Sequence, residues 1–328
     1  MTSIDNYVWV EFYSELAIKL LGYIKDRHTL IAKLQNVYNN IDMKLPKLEK
    51  DNTLIDIDPF TIFGLFNKGI TPENRIKIMK GIADEFSILT TVPERFEGIP
   101  VLNNQKATFY CFRGEREEQD IDNLWNLFEA AQKYADDSSV GNKATFIKYY
   151  DTCLHQKGIR WNITMGLYWI RPYKFINLDS TNRGFILNSE NMPNQFITLL
   201  EELKQVPSGE KYLDICEHCN RILESGIYKY HNFPELSYLA WKITSQDYKN
   251  NEDIMSDKNV DSVSYWIYSP GNGASKWEEF YREGIIAIGW GEIGDLNTFS
   301  SKDEMKQKII DAINNRAEDE LPTILDTP

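Results

Sequence analysis

No stretch of this sequence approaches the roughly 20 uninterrupted apolar residues that a membrane-spanning helix needs, because charged residues break the apolar content throughout. The opening MTSIDNYVWVEF has no basic region followed by an apolar run and a small-residue cleavage site, so it does not read as a signal peptide. Cysteine is scarce: Cys111, Cys153, Cys216 and Cys219 are too few and too scattered for a disulfide framework. A soluble protein of the reducing cytoplasm, with no membrane partner, is the expectation. Positive charge is also short, with 36 Lys and Arg against 49 Asp and Glu. The net charge of −13 argues against a broadly basic protein that coats nucleic acid. A reader that takes up one extruded base needs only a local basic rim, so this deficit restricts that class without removing it. His28, His155, His218 and His231 are scattered and give no serine–histidine–acid arrangement. No G-x-x-x-x-G-K-[ST] string occurs, and Gly271-Asn272-Gly273-Ala274-Ser275-Lys276 is only a superficial likeness of one, so no P-loop motor is encoded.

What is present suits two domains of ordinary size, with 42% apolar and 13% aromatic residues for their cores. Trp9, Phe12, Tyr13, Leu16, Leu20 and Ile24 recur at helical spacing, and Leu30, Ile31, Leu34 and Val37 repeat the pattern. Residues 44–58 read as an irregular loop. Thr71-Pro72-Glu73 is a helix start, with an N-cap threonine and a proline in the first turn. Glycines and prolines punctuate 93–118 around a short β-like run, Thr108-Phe109-Tyr110-Cys111-Phe112. Helical patterns return at 122–135, 143–156, 195–203, 209–223 and 234–248. A mainly helical domain over 1–250, with a few short strands, is expected. The polar stretch that follows reads as a linker over 251–264, and 265–328 reads as a smaller α/β unit.

The C-terminal unit carries the sharpest motif. YWIYSPGNGASKWEEFYREGIIAIGWGEIGDL, Tyr265 to Leu296, runs from an aromatic strand through a Ser-Pro-Gly turn and a helix with Trp and Glu to an apolar strand ending Gly-Trp. It resembles the opening of the EVE-like modules of the PUA superfamily, found in McrB-type restriction proteins. The resemblance implies a partial α/β EVE-like module, in which Trp266 and Trp290 wall a base pocket and Tyr268 and Ser269 offer its hydrogen-bonding edge. Indole faces sandwich a nucleobase for about 1–3 kcal/mol per stack. The alternative is that these aromatics fill a small barrel core; Trp277 is expected to pack its helix onto the sheet. Modules of this type close a β-barrel, and the chain ends after one strand–helix–strand unit and one more helix, so an incomplete barrel is expected.

The strings DIDPFTIFGLFNKGIT (56–71), GIPVLNNQKATFY (98–110), DIDNLWNLFEAA (120–131) and IRWNITMGLYWIRPYKFINLDSTNR (159–183) resemble the N-terminal region of bacterial McrB-like AAA+ GTPases. The two resemblances together imply the DNA-targeting part of a modification-dependent restriction system, reading a methylated base and catalysing nothing itself. They imply modified DNA as ligand and an McrC-like nuclease as partner, reached through a motor domain that is missing here. GTP and Mg would belong to that motor, so no cofactor is expected in this chain. The other reading is an interaction scaffold that docks a partner subunit through its acidic surface. A third, a metal-dependent enzyme built around Asp179, is disfavoured by the single acid in its aromatic segment.

Two polar clusters remain. In 160–183, Arg171, Asn177, Asp179, Asn182 and Arg183 stand beside Trp161, Trp169 and Tyr173. Arg171 and Arg183 are candidates for phosphate, and Asn162 or Asn182 for a base edge. The simpler reading is a buried polar staple in which an arginine pairs with Asp179. Cys216-Glu217-His218-Cys219 suggests zinc, but a structural site needs four ligands and only His231 lies near, so a packed helix is the expectation.

Overall fold

The computed structural model describes residues 7–51, 53–103, 108–188, 190–257 and 277–283. Its contacts divide the chain into two units, Met1–Asp257 and Lys258–Pro328.

The first unit is built from helices whose starts are written in the sequence. α1 (Val8–Leu21) buries Trp9, Phe12, Tyr13, Leu16 and Leu20 along one stripe. Asp26, Asp58 and Thr71 cap α2 (Arg27–Asn40), α3 (Pro59–Gly64) and α4 (Pro72–Phe86), each accepting a backbone N–H three residues on. That satisfies one of the orphan donors every helix start leaves. α4 ends at Ser87 in the left-handed region, φ 53°. α5 (Asp120–Asp136) and α6 (Val140–Leu154) are joined by a three-residue turn and pack on each other as a helical hairpin. α7 (Asn162–Ile170), α8 (Ser180–Ile186), α9 (Asn194–Glu201), α10 (Gly209–Glu224) and α11 (Phe233–Asp257) complete the unit.

The centre is the contact of α3 with α7. All six residues of α3 are buried, as are Ile163 to Ile170 of α7. A helix apolar on every side belongs inside a core. Gly166 makes the approach possible: a Cβ there would come 2.7 Å from the Phe60 ring. Around this pair α5 packs on both α3 and α7, α1 on α7, α2 on α4, α10 on α6, and α8 on α11. Buried indole and phenol groups pin the loops by their polar tips. Trp125 Nε1 donates to the Ile57 carbonyl at 2.9 Å, Trp169 Nε1 to Pro100 at 3.1 Å, and Tyr212 Oη to Ile176 at 2.7 Å.

Three expectations need correction. The β-like run 108–112 is not a strand: Phe109 and Tyr110 are core plugs, and the Phe109 N–H goes to the Thr61 hydroxyl at 2.9 Å. The linker expected over 251–264 begins as helix, since α11 continues to Asp257. The mixed fold, a mainly α domain with an α/β EVE-like module, is overturned. The described residues are helical, with one isolated bridge between Lys68 and Leu102 and no sheet. The described part of the second unit is the helix α12 (Trp277–Glu283), where Trp277 is half exposed. The strands expected at 265–268 and 284–290 lie outside the described residues, as does 271–276. Among the described residues no helix is long and apolar enough to cross a membrane.

Candidate functional site

A cleft of about 400 Å³ opens where four segments of the first unit meet. The loop Gly98–Val101 forms one wall, Trp161 and Met165 of the α7 start a second, Asp179–Arg183 at the head of α8 a third, and Ser237 and Trp241 of α11 the fourth. The loop lies directly on the α11 backbone. Gly98 has φ +79°, and a Cβ there would sit 2.5 Å from Tyr238 Cα, so only glycine allows this wall.

The polar groups of the cleft have distinct duties. Asp179 caps α8, its Oδ1 accepting the Asn182 N–H at 2.8 Å. Asn182 is buried, and its Nδ2 donates to the Asn177 carbonyl at 3.0 Å and to Ser237 Oγ at 2.6 Å, stapling α8 to α11. Behind Ser237 stands Tyr168, fully buried, its hydroxyl pushed up by desolvation. Arg183 is different. Its guanidinium lies 3.9 Å over the Trp161 ring, and its Nε donates to the Asp179 carbonyl at 3.4 Å. Among the described residues it forms no ion pair and its terminal nitrogens meet no acceptor. Burial pulls its pKa down, with the Asp179 charge working the other way. A stacked guanidinium with free in-plane donors, beside an aromatic face, presents hydrogen bonds and a flat platform together.

The cluster expected over 160–183 is therefore divided. Arg183, Asn182, Asp179 and Trp161 share the cleft. Arg171 does not line it: its Nη1 donates to the Ile170 carbonyl and its Nη2 pairs with Asp136 at 3.4 Å. Trp169 is sealed in the core, and Tyr173 is about half exposed and away from the lining. Asn162 Oδ1 accepts the Arg160 N–H at 2.7 Å and faces a second, larger cavity of about 660 Å³ between Leu102, Tyr110, Cys111 and Lys157. That cavity borders residues 104–107, which lie outside the described residues, so the first cleft is the better defined site. Trp266, Tyr268, Ser269 and Trp290 also lie outside the described residues. The staple reading holds for Asn182, while the expected pairing of an arginine with the Asp179 carboxylate is replaced by a bond to its carbonyl.

Sequence reasoning missed Gly98, Ser237 and Trp241. The Gly98-Ile99-Pro100 punctuation was a usable signal for a special loop; nothing local marked the two α11 residues. Cys216 and Cys219 are buried on α10, where Cys216 Sγ accepts the Ile176 N–H at 3.5 Å and His218 sits edge-on to Phe196. Among the described residues no group of three or more His, Cys, Asp or Glu is placed to hold a metal ion.

A family model described as "Domain of unknown function (DUF8425)" matches residues 9–243, a span that contains every residue of the cleft. No curated protein and no solved structure matches the chain.

Proposed function

The chain belongs to the DUF8425 family, and we propose that its helical domain is a non-catalytic recognition module whose cleft receives a flat nucleobase. One observation carries this reading: Arg183 stacks on Trp161 at 3.9 Å with its terminal donors uncommitted, in an open cleft that also presents the half-exposed indole of Trp241. A base has a π-face for the indole and an edge or a flanking phosphate for the guanidinium. The ligand is DNA bearing a modified base, taken up one extruded base at a time in the cytoplasm. The module serves as the targeting part of an McrB-like restriction system, with an McrC-like nuclease as the eventual partner. The acidic balance of the chain supports this mode over duplex coating, since one inserted base asks for a local cation only.

The test is a titration with matched oligonucleotides, unmodified or carrying 5-methylcytosine or N6-methyladenine, as duplexes and single strands. Preference for one modified form, weakened about 5- to 150-fold by Trp161→Ala as expected for one lost stack, supports the reading. Trp266→Ala and Trp290→Ala run alongside as the competing pocket. Binding that survives Trp161→Ala and Arg183→Gln but not those two moves the pocket out of the helical domain. A second reading rests on the net charge of −13: an acidic scaffold for a basic partner subunit. It predicts no oligonucleotide binding even at low salt.

A further inference from the structure

Asn182, on α8, is only 2% exposed, yet it lines the cleft. Its side-chain amide has two hydrogens to give, and both are spent inside the fold: Nδ2 donates to the Asn177 carbonyl at 3.0 Å and to Ser237 Oγ at 2.6 Å. Turning the amide over would set Oδ1 against the Asn177 carbonyl, acceptor against acceptor, so its orientation is locked. Among the described residues nothing donates to Oδ1. Nor is that oxygen sealed off: it keeps access to open space, and the opening that Asn182 lines is the cleft.

The other polar groups of the cleft select differently. Arg183 can only donate, and the Ser237 hydroxyl can donate or accept, so it favours neither sign. The Asp179 carboxylate accepts, but it is partly exposed and already holds the Asn182 N–H, so water competes for what is left of it. From this arrangement we propose that Asn182 Oδ1 is the specificity-determining group of the cleft. It selects a base bearing an exocyclic amine, cytosine or adenine with or without one added methyl, over a base bearing a keto oxygen at the same place. This deepens the base-cleft reading and rests on it. The amine projects beyond the ring, so it is the donor that reaches a recessed acceptor, while the acceptor beside it on the ring meets the Arg183 donors. A keto oxygen there would face Oδ1 lone pair to lone pair. The acceptor would then lose its solvent without gaining a partner.

Competition binding of the full chain to single-stranded oligonucleotides that differ at one base tests it, with 5-methylcytosine against thymine and adenine against hypoxanthine. Each pair keeps its outline and any methyl group, and exchanges the amine for a keto oxygen and a ring N–H. The amine member is expected to bind about 5- to 150-fold more tightly in both pairs. The sign is diagnostic, because a cleft read by Arg183 alone prefers the keto member. Asn182→Ala, compared below its own unfolding midpoint, brings both ratios close to one, whereas Arg183→Gln weakens both members and leaves the amine ahead. In wild type, a nuclear Overhauser contact between the ligand amine and the Asn182 side-chain amide makes the same assignment without a variant; its absence overturns the proposal. Equal binding within the pairs, or a keto preference, overturns it too, and leaves the stacking cleft standing if Trp161→Ala still weakens every strand. An amine preference that survives Asn182→Ala gives the role to another group and overturns it as well. Binding by no strand overturns this inference and the base-cleft reading together.

Discussion

Asp58 offers a prediction whose magnitude follows from its surroundings. Its carboxyl is fully buried at the start of α3, where it accepts the Thr61 N–H at 3.0 Å and the Thr61 hydroxyl. Burial raises its pKa from 3.8 to about 6; the hydrogen bonds from Thr61 pull it down, and the nearby Asp56 charge adds to the rise. The folded protein thus holds this proton more tightly than the unfolded chain. Where the folded state binds more protons, stability falls as pH rises. The contribution is fully present below about pH 4, is lost as pH climbs through about 6, and is flat above that. The rise corresponds to roughly 3 kcal/mol. Asp58→Asn removes the titration while keeping an acceptor for the Thr61 N–H. The lost hydroxyl partner gives a constant offset, so the diagnostic quantity is how the difference between wild type and variant changes with pH. Urea unfolding at steps from pH 4 to pH 8 measures it. Wild type should lose about 2.4 kcal/mol of that relative to Asp58→Asn between pH 4 and 7, with the remaining carboxylates cancelling in the difference. A pH-independent difference would refute the assignment of a buried, proton-retaining carboxyl at this helix start.

Gly98→Ala combines a positive φ with a Cβ placed against the α11 backbone, so a loss of roughly 2–3 kcal/mol and weaker ligand binding are expected by denaturation and titration; a wild-type midpoint would show that the loop shifts freely. Glu49 is fully buried and holds Arg116 at 2.5 Å and the Arg113 N–H at 2.9 Å. Glu49→Gln should cost about 3–5 kcal/mol, with part recovered when Arg116→Met is added. Burial pushes the Cys216 thiol up to about 12, and Cys153 and Cys219 are raised as well, whereas Cys111 is partly exposed. A thiol reagent at pH 8 should therefore label Cys111 quickly in native protein and the other three only on unfolding. Ser237→Ala strips one acceptor from the buried Asn182 amide and should cost about 1–3 kcal/mol, read from the urea midpoint.

How much of this was legible follows from how local each cause is. The α4 start could be read because Thr71 and Pro72 carry their own signal: a side-chain cap and a fixed φ act within one turn. α3 has equally good cap chemistry in Asp58 and Pro59, yet the stretch before Pro59 read as loop and the helix was overlooked. A six-residue helix buried on every side shows no polar face, and periodicity has nothing to detect. The end of α11 failed in the opposite sense, because its polar composition through Asp257 matches a linker as well as it matches a helix. Arg171 shows the same limit for the site, since its acid, Asp136, is 35 residues away and only the packing of α5 beside α7 brings it near.

The aromatic segment over 160–183 shows why composition could not separate cleft-lining residues from core ones. Its tryptophans look alike in sequence, and their roles follow from where each falls on α7. Trp169 lies in the last turn, surrounded by Phe63 and Phe109, and its Nε1 is spent on the Pro100 carbonyl, so it can only be core. Trp161 precedes the first turn, where the helix reaches the surface, and its face remains available to Arg183. Arg183 comes from the next helix, set back across the loop by the Asp179 cap. The cleft thus arises at the end of a buried helix, where core packing has to stop. A change that strains the turn before α7, such as Gly158→Ala at φ +96°, should disturb the Trp161–Arg183 stack while leaving the α3–α7 core intact. Tryptophan fluorescence of Trp161, compared in Arg183→Gln and Gly158→Ala against the unfolding midpoint, separates the two. A changed emission with less than about 1 kcal/mol lost would place the stack outside the folding core, whereas a coupled fall in both would make Trp161 another structural residue.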